Sequence, residues 1–183
     1  VETVADALQG ANDIIAEDIS DDAAVRKSLR ELIMGKGQLV SKAAQEEDSV
    51  YRLYYDFAQP LPRLQGHQVL AVNRGEREGF LRVTVVTDRD AALPMLRRAV
   101  VKPGTRAMEF IKAAAEDAYD RLIYPSLERE VRNTLTENAS EGAIHNFALN
   151  LRPLLMQPPV KGHVTMGLDP GYRMGCKVAV VDG

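Results

Sequence analysis

The sequence has 183 residues, 45% of them apolar, and its formal net charge at pH 7 is −3. This length supports one complete hydrophobic core, and the weakly acidic total argues against a protein coated throughout by nucleic acid. No run of about 18 apolar residues occurs, and the first ten residues lack the basic start and apolar centre of a signal peptide, so neither a membrane-spanning helix nor a targeting segment is predicted. The chain begins with Val1 rather than methionine, and we expect it to be part of a longer protein.

Two helices, each with one apolar face, are predicted at the start of the chain. Apolar residues recur at steps of three or four over residues 4–19, and the same spacing returns over residues 25–33. The Ser-Asp-Asp stretch at 20–22 supplies oxygen acceptors and negative charge to the N-terminus of the second helix. Gly35 ends that helix, and we expect the two helices to pack against each other.

A third helix is predicted over residues 50–57, where the apolar positions again fit one helical face. These positions are Val50, Leu53, Tyr54 and Phe57. We interpret the aromatic residues of this stretch as core contacts rather than base-stacking groups, because helix packing requires large side chains at such steps. Pro60 and Pro62 end the helix, and a short helix that ends at Gly75 or Gly79 is predicted within residues 66–79.

Residues 81–85 carry the clearest strand pattern before residue 160, because residue types alternate between two faces. Leu81, Val83 and Val85 occupy one face, and Arg82 and Thr84 occupy the other. The sequence does not identify the strand that pairs with this segment. Asp90 is then predicted to cap a helix that runs to Val100.

The middle of the chain is basic. Residues 60–112 carry ten Lys and Arg against five Asp and Glu, a net charge of +5, between flanking segments of −6 and −2. Such asymmetry favours a local surface that faces phosphate groups. The candidate nucleic-acid-binding residues are Arg74, Arg77, Arg97, Arg98, Lys102 and Arg106. The alternative is a solvated surface whose arginines pair with acidic residues across helices, above all at Arg77, which lies between two glutamates.

The longest helical patterns lie at residues 106–123 and 125–151. The second begins with Pro125, a favoured residue in the first turn of a helix. Gly142 costs this helix about 1 kcal/mol relative to alanine and indicates a bend. We therefore expect two separate helices, of which the second is the longer.

A domain boundary is predicted between residues 159 and 160, because prolines at 153, 158 and 159 interrupt the helical pattern. Residues 1–159 are expected to form a multi-helix assembly with one or two short strands. Residues 160–183 are expected to form the first hairpin of a second domain.

The final hairpin is predicted from two alternating strands within residues 163–182, joined by a turn that contains Pro-Gly. A two-stranded hairpin is marginally stable alone, so we expect it to begin a larger sheet. Cys176, the one cysteine in the sequence, cannot form an internal disulfide or a cysteine-pair metal site. We expect its thiol to be buried in a strand, and we expect the protein to be cytoplasmic.

Three stretches carry a resemblance to a known family: HQVLAVNRGEREG at 67–79, EDAYDRLIYPSLEREVR at 116–132 and GLDPGYRMGCKVAVVD at 167–182. Over essentially its whole length the chain resembles the bacterial transcription accessory proteins of the Tex family. The resemblance implies a mainly α fold whose C-terminal β-hairpin begins an incomplete sheet of an RNase H-like, resolvase-like domain. Complete Tex proteins add helix-hairpin-helix elements and an OB-fold RNA-binding domain.

The resemblance implies a scaffold without catalysis, in a parent protein that binds RNA or DNA and contacts the transcription machinery. We expect no cofactor, metal ion, small-molecule substrate or membrane partner. A purely architectural segment that only positions other domains is one alternative. A salt series separates these two hypotheses, because contacts with phosphate weaken as salt rises.

A metal-dependent nuclease is the other alternative. In resolvase-like nucleases the aspartate that corresponds to Asp169 holds a divalent metal ion, and two-metal chemistry needs several carboxylates from different elements. This sequence supplies Asp169 and, 13 residues later, Asp182. Asp169 is therefore expected to be a vestigial acidic site or a turn residue that precedes Pro-Gly.

Overall fold

The structure is a computed structural model of the chain, and it describes residues 3–45, 47–158, 161–171, 173 and 175–182. It is mainly helical and contains two small antiparallel sheets, and it divides into two compact units, Val1–Ala143 and Ile144–Gly183. The prediction of a mainly helical fold with a C-terminal β-hairpin is confirmed. The division between the units falls inside a long helix. The predicted domain boundary between residues 159 and 160 lies outside the described residues and stays a prediction.

In its described residues, the first unit begins with two α-helices, continues with three strands and one α-helix, and ends with three α-helices in succession. The α-helices are α1 (Val4–Asp21), α2 (Ala23–Lys36), α3 (Gly66–Arg77), α4 (Arg89–Val100), α5 (Met108–Asp117) and α6 (Tyr124–Leu155). The strands of the first unit are β1 (Gln38–Ala43), β2 (Asp56–Pro60) and β3 (Leu81–Val86), and those of the second are β4 (Thr165–Gly171) and β5 (Gly175–Val181). Short 3-10 helices occupy Arg52–Tyr54 and Leu61–Arg63, and a π-helical segment, Ala118–Ile123, joins α5 to α6.

Side-chain caps fix the start of the first two helices. The Thr3 hydroxyl accepts a hydrogen bond from the Asp6 N–H (3.1 Å), and the Asp6 carboxylate accepts one from the Thr3 N–H (2.9 Å), which is a capping box. Asp22 accepts hydrogen bonds from two backbone N–H groups in the first turn of α2 (2.8 and 2.9 Å). The two predicted helices are confirmed, and they contact each other.

The first sheet has the strand order β2-β1-β3, with both pairs antiparallel. The strand predicted at 81–85 is confirmed as β3, and its partner is β1, which the sequence analysis did not identify. The helix predicted over 50–57 is wrong: only one 3-10 turn forms there, and β2 begins at Asp56. The pairing of β2 with β1 satisfies its backbone groups, and this tertiary pairing outweighs the helical spacing. The first unit therefore has three strands in its described part, where one or two were expected.

The inner face of this sheet forms part of the core. Side chains of alternate residues on β1 and β3 point inward and are buried: Leu39, Ser41, Leu81, Val83 and Val85. They pack with buried residues of the helices, among them Leu29, Ile33, Val72, Leu96, Ile123, Leu127 and Val131. The outward-facing residues of the same strands are exposed or half-buried, so this sheet is covered on one face only within the described structure.

The two long helices predicted at 106–123 and 125–151 form one helical run instead. The π-helical segment Ala118–Ile123 lies at the point where the break was expected, and the Tyr124 N–H bonds to the Tyr119 carbonyl five residues back. Pro125 has no N–H to donate, and the wider turn relieves the clash of its ring with the preceding turn. α6 also continues through Gly142.

The second unit contains the β4–β5 hairpin, which confirms the two predicted strands. The predicted turn is wrong in part, because Asp169, Pro170 and Gly171 pair within the hairpin as residues of β4. Met166 pairs with Val180 and Leu168 pairs with Val178, so one face of the hairpin is apolar, and these side chains are exposed. Cys176 is also exposed, so the expectation of a buried thiol is wrong. A burial prediction for a strand residue fails here because no described element covers the hairpin. No helix in the described part of the chain is long and apolar enough to cross a membrane.

We predict opposite effects of the same substitution at two helical glycines. A Cβ at Gly75 in α3 would lie 2.5 Å from Leu81 Cδ1 and 3.0 Å from Tyr51 Cγ, both on buried side chains. Gly75→Ala is therefore expected to lower the free energy of unfolding by about 1–3 kcal/mol. Gly142→Ala in α6 meets no described atom within 4 Å and is expected to raise it by about 1 kcal/mol. Urea denaturation of both variants tests this, and a Gly75→Ala protein as stable as the wild type would contradict it.

Candidate nucleic-acid interface

The polar face of α6 completes the free edge of β3. Tyr124, Glu128 and Arg132 recur at steps of four residues and so lie on one face of the helix. The Glu128 carboxylate accepts a hydrogen bond from the Val85 N–H (2.9 Å), and the Tyr124 hydroxyl donates to the Val85 carbonyl. The Arg132 guanidinium donates to the Val83 carbonyl (3.1 Å). These side chains therefore replace the neighbouring strand that an edge strand lacks.

Arg132 also joins α6 to α3. Its guanidinium pairs with both carboxylate oxygens of Glu76 and donates to the Asn73 side-chain oxygen (3.1 Å). The Asn73 amide in turn donates to the Thr136 hydroxyl (2.8 Å), one turn further along α6. These contacts give the polar segment at 73–79 a structural role that does not follow from the sequence alone. The sequence did contain a signal for this role. Asn73 and Glu76 lie three residues apart, and this spacing places both side chains on one face of a helix, where they can contact the same neighbouring element.

The six candidate basic residues fall into two sets, on α3 and on α4 with the loop after it. Arg74 is in the α3 set and pairs with Glu78 (3.2 Å), and Glu78 also accepts a hydrogen bond from the Tyr51 hydroxyl (2.8 Å). The Tyr51 hydrogen bond, together with the nearby arginines, lowers the pKa of the Glu78 carboxyl from its ordinary value. Arg77 is exposed and has no hydrogen bond or ion pair within the described structure.

Arg97, in the α4 set, reaches toward α5 and stays partly exposed. Its guanidinium forms an ion pair with Glu116, and 39% of the side chain is exposed. Two turns earlier on α4, Arg89 makes two hydrogen bonds with the Asp120 carboxylate, at 2.9 and 2.7 Å. The Asp120 hydrogen bond raises the pKa of the Arg89 guanidinium. The positive charges on this face of α4 are therefore neutralised by Glu116 of α5 and by Asp120 of the π-helical segment.

The other three candidates, Arg98, Lys102 and Arg106, are exposed, and none has an acidic partner among the residues described. Arg98 lies in the last turn of α4, where a cation also complements the negative end of the helix dipole. Lys102 and Arg106 lie in the loop that follows, which turns at Gly104 with a φ of 80°. We call these three residues the α4 basic surface. They place three positive charges within nine residues of chain.

Asp169 lies on the second unit, in β4, directly opposite Lys177 of β5. Its side chain is 79% exposed, and its Oδ2 lies 3.9 Å from the Lys177 Nζ. Asp182 follows β5 beyond the Thr165–Val181 pair, which is four residues along the hairpin from Asp169, or about 13 Å. No group of three or more His, Cys, Asp or Glu side chains in the described part of the chain could hold a metal ion.

Comparison with known proteins identifies the family. The family model described as Tex central region-like matches residues 1–147. The chain is 42% identical over 182 residues to the uncharacterised protein YdcI of Bacillus subtilis, covering 97% of this chain and 25% of that protein. It is 34% identical to protein tex of Bordetella pertussis, covering 96% of this chain and 24% of the relative. It is 32% identical to human S1 RNA-binding domain-containing protein 1, covering 98% of this chain and 20% of the relative.

The chain therefore belongs to the Tex family, as the resemblance of its three motif stretches predicts. It spans about a quarter of the length of the curated relatives it matches. Two of those stretches, at 67–79 and 116–132, contain most of the side chains that join α6 to α3 and β3: Asn73, Glu76, Tyr124, Glu128 and Arg132.

We predict that adjacent arginines on α4 differ in their effect on stability. Arg97→Ala removes the ion pair with Glu116 and is expected to lower the free energy of unfolding by about 1 kcal/mol, a modest value because the pair is partly exposed. Arg98→Ala is expected to change it by less than about 0.5 kcal/mol. Urea denaturation of the two variants measures the difference. Equal losses of stability would show that the α4–α5 ion pair is not formed as described.

Proposed function

We propose that this chain is the central region of a transcription accessory protein that binds nucleic acid, and that it contacts phosphate groups through the α4 basic surface without catalysing a reaction. One observation carries the proposal: Arg98, Lys102 and Arg106 follow one another on an exposed surface with no acidic partner in the described structure. Exposed cations of this kind gain free energy from phosphate contacts by releasing counterions from the nucleic acid.

The names of relatives support a role in association with nucleic acid. A relative in Neisseria gonorrhoeae, 33% identical, is named transcriptional accessory protein Tex. The human relative is named for an S1 RNA-binding domain. Because the chain spans about a quarter of these proteins, binding of RNA or DNA by the whole protein, and contact with the transcription machinery, form part of the proposal.

The chemistry of the α4 basic surface favours contacts with the backbone of a nucleic acid rather than with its bases. The surface consists of two arginines and one lysine, and no aromatic residue lies among residues 98–106. Stacking on aromatic side chains is the usual source of base contacts with single strands. Binding through this surface is therefore expected to depend strongly on salt and weakly on sequence.

The absence of catalysis is proposed from the surroundings of Asp169. Its described neighbour is a lysine, and Asp182 lies too far along the hairpin to share a metal ion with it, since ligands lie about 2–2.6 Å from the ion. A hairpin with one exposed apolar face also suits the start of a larger sheet, and we propose an RNase H-like sheet. Nuclease chemistry in a whole protein would need further carboxylates from other elements.

A purely architectural role is the second candidate. It is favoured by the ion pairs of Arg97 with Glu116 and of Arg132 with Glu76, because each uses a cation to hold two separate helices together. In this alternative the α4 basic surface is solvated and binds no nucleic acid.

Binding across a salt series separates the two candidates. We predict that the chain binds single-stranded RNA or DNA of about 12 nucleotides and that the affinity falls as salt rises. Substitution of Arg98, Lys102 and Arg106 by alanine is expected to reduce the slope of log K against log salt by about 2, since each phosphate contact with a single strand contributes about 0.7. Fluorescence anisotropy with labelled oligonucleotides measures both quantities.

The matched control removes three exposed cations elsewhere, by Lys27→Ala, Lys36→Ala and Arg63→Ala. This control loses the same net charge, and it is expected to keep the wild-type slope. If the control and the triple variant lose slope equally, the effect is one of net charge and the α4 basic surface is not the binding site. If the wild-type chain binds neither oligonucleotide at any salt concentration, the architectural role replaces the proposal.

A further inference from the structure

The outer face of the three-stranded sheet carries an open hollow of about 440 Å³. It is lined by Val40, Lys42, Ala43, Arg82, Thr84 and Val86, the outward-facing residues of β1 and β3 together with Ala43 at the end of β1. We call this the sheet hollow. It lies on the side of the sheet opposite the core and is separate from the α4 basic surface. Val86, the last residue of β3, is 48% exposed there.

The charges of the sheet hollow are unbalanced. Lys42 lies directly opposite Arg82 in the register of β1 and β3. Like charges at directly opposed positions of a sheet destabilise it. On its other side Lys42 lies opposite Asp56 of β2, but neither cation forms an ion pair within the described residues. The pair of cations therefore favours an anionic group that approaches from outside the sheet.

The apolar residues of the sheet hollow decide the class of partner. Val40, Ala43 and Val86 lie beside the two cations, and a phosphate group would leave them in contact with water. Among the residues that the structure describes, no aromatic side chain lines the hollow, and base stacking usually requires one. A peptide segment with both apolar and acidic side chains fits the whole surface. Its apolar side chains would cover the apolar residues of the hollow, and its carboxylates would pair with the two cations.

The dimensions of the sheet fit one helix. Three strands span about 14 Å across, and a six-residue strand is about 20 Å long. A helix with its side chains is about 10–12 Å wide, and about 13 residues of helix are 20 Å long. One amphipathic helix therefore covers this face in the way that helices cover sheets in two-layer folds.

We propose that the sheet hollow is a docking site for an acidic amphipathic helix, whose apolar side chains cover Val40 and Val86 and whose carboxylates pair with Lys42 and Arg82. The site is an interaction surface for protein, and it does not depend on the nucleic-acid binding proposed above.

A panel of synthetic helical peptides of about 14 residues tests this proposal. The peptides share one apolar pattern and differ in net charge from about −4 to about +4. We expect the acidic peptides to bind the 183-residue chain saturably and to shift the amide NMR signals of β1 and β3. Affinity is expected to fall in order as the peptide charge becomes positive.

Arg82→Glu separates a binding role of the two cations from a purely structural one, because it is expected to raise the stability of the chain and to weaken its binding of the peptide. It places a carboxylate opposite Lys42 and leaves Lys42 between two acids, so Tm is expected to rise by up to about 4 °C. The same variant is expected to bind the acidic peptide at least about tenfold more weakly. The introduced carboxylate would pair with Lys42 and would repel the carboxylates of the peptide. Lys27→Glu, an exposed charge reversal elsewhere, is expected to retain wild-type affinity.

Each other outcome overturns the proposal. If none of the acidic peptides shifts the signals of β1 and β3, the hollow is a solvated sheet face. If the Arg82→Glu variant binds the acidic peptide with wild-type affinity, Lys42 and Arg82 do not bind the carboxylates of the peptide. If an oligouridine RNA shifts these signals at concentrations where the peptides do not, the face binds nucleic acid instead.

Discussion

The free edge of β3 is the point on which the first unit depends. An edge strand whose N–H and C=O groups face other protein elements must have hydrogen-bond partners, since each buried group left unpaired costs about 1–3 kcal/mol. One face of α6 supplies them, because Tyr124, Glu128 and Arg132 recur at steps of four residues. The same arginine pairs with Glu76 of α3. The sheet, α3 and α6 are therefore held in one arrangement by a single row of side chains.

The first unit also carries the two exposed surfaces for which we propose roles. α4 follows β3 in the chain, begins after the N-cap Asp88 and packs with one side against α5. Arg97 forms an ion pair with Glu116 on the side of α4 that faces α5. Arg98, Lys102 and Arg106 remain exposed. The pairing of β3 with β1 also places Arg82 opposite Lys42 on the outer face of the sheet. The first surface therefore follows from the packing of α4 against α5, and the second follows from the pairing of β3 with β1.

Much of this fold could be predicted from local signals. Short stretches of sequence were enough to predict α1 and α2 from their caps and apolar spacing. The same holds for β3, from its alternating residues, and for the C-terminal hairpin. β1 and β2 could not be predicted in this way, because their strand conformation depends on pairing with each other and with β3. The charge count found the basic middle of the chain, but it could not separate Arg97 from Arg98, since that difference rests on Glu116, 19 residues away. Ion pairs between distant elements carry no signal in a single sequence.

Hydrogen exchange of the Val85 amide tests the central claim most directly, because its described partner is the Glu128 carboxylate rather than another strand. Our account predicts that this amide exchanges slowly in the wild-type chain. Glu128→Ala is predicted to accelerate its exchange by about tenfold to a hundredfold, with Glu137→Ala, an exposed change further along α6, as the unaffected control. A Val85 amide that exchanges as fast as loop amides in the wild type, or that ignores Glu128→Ala, would contradict the account.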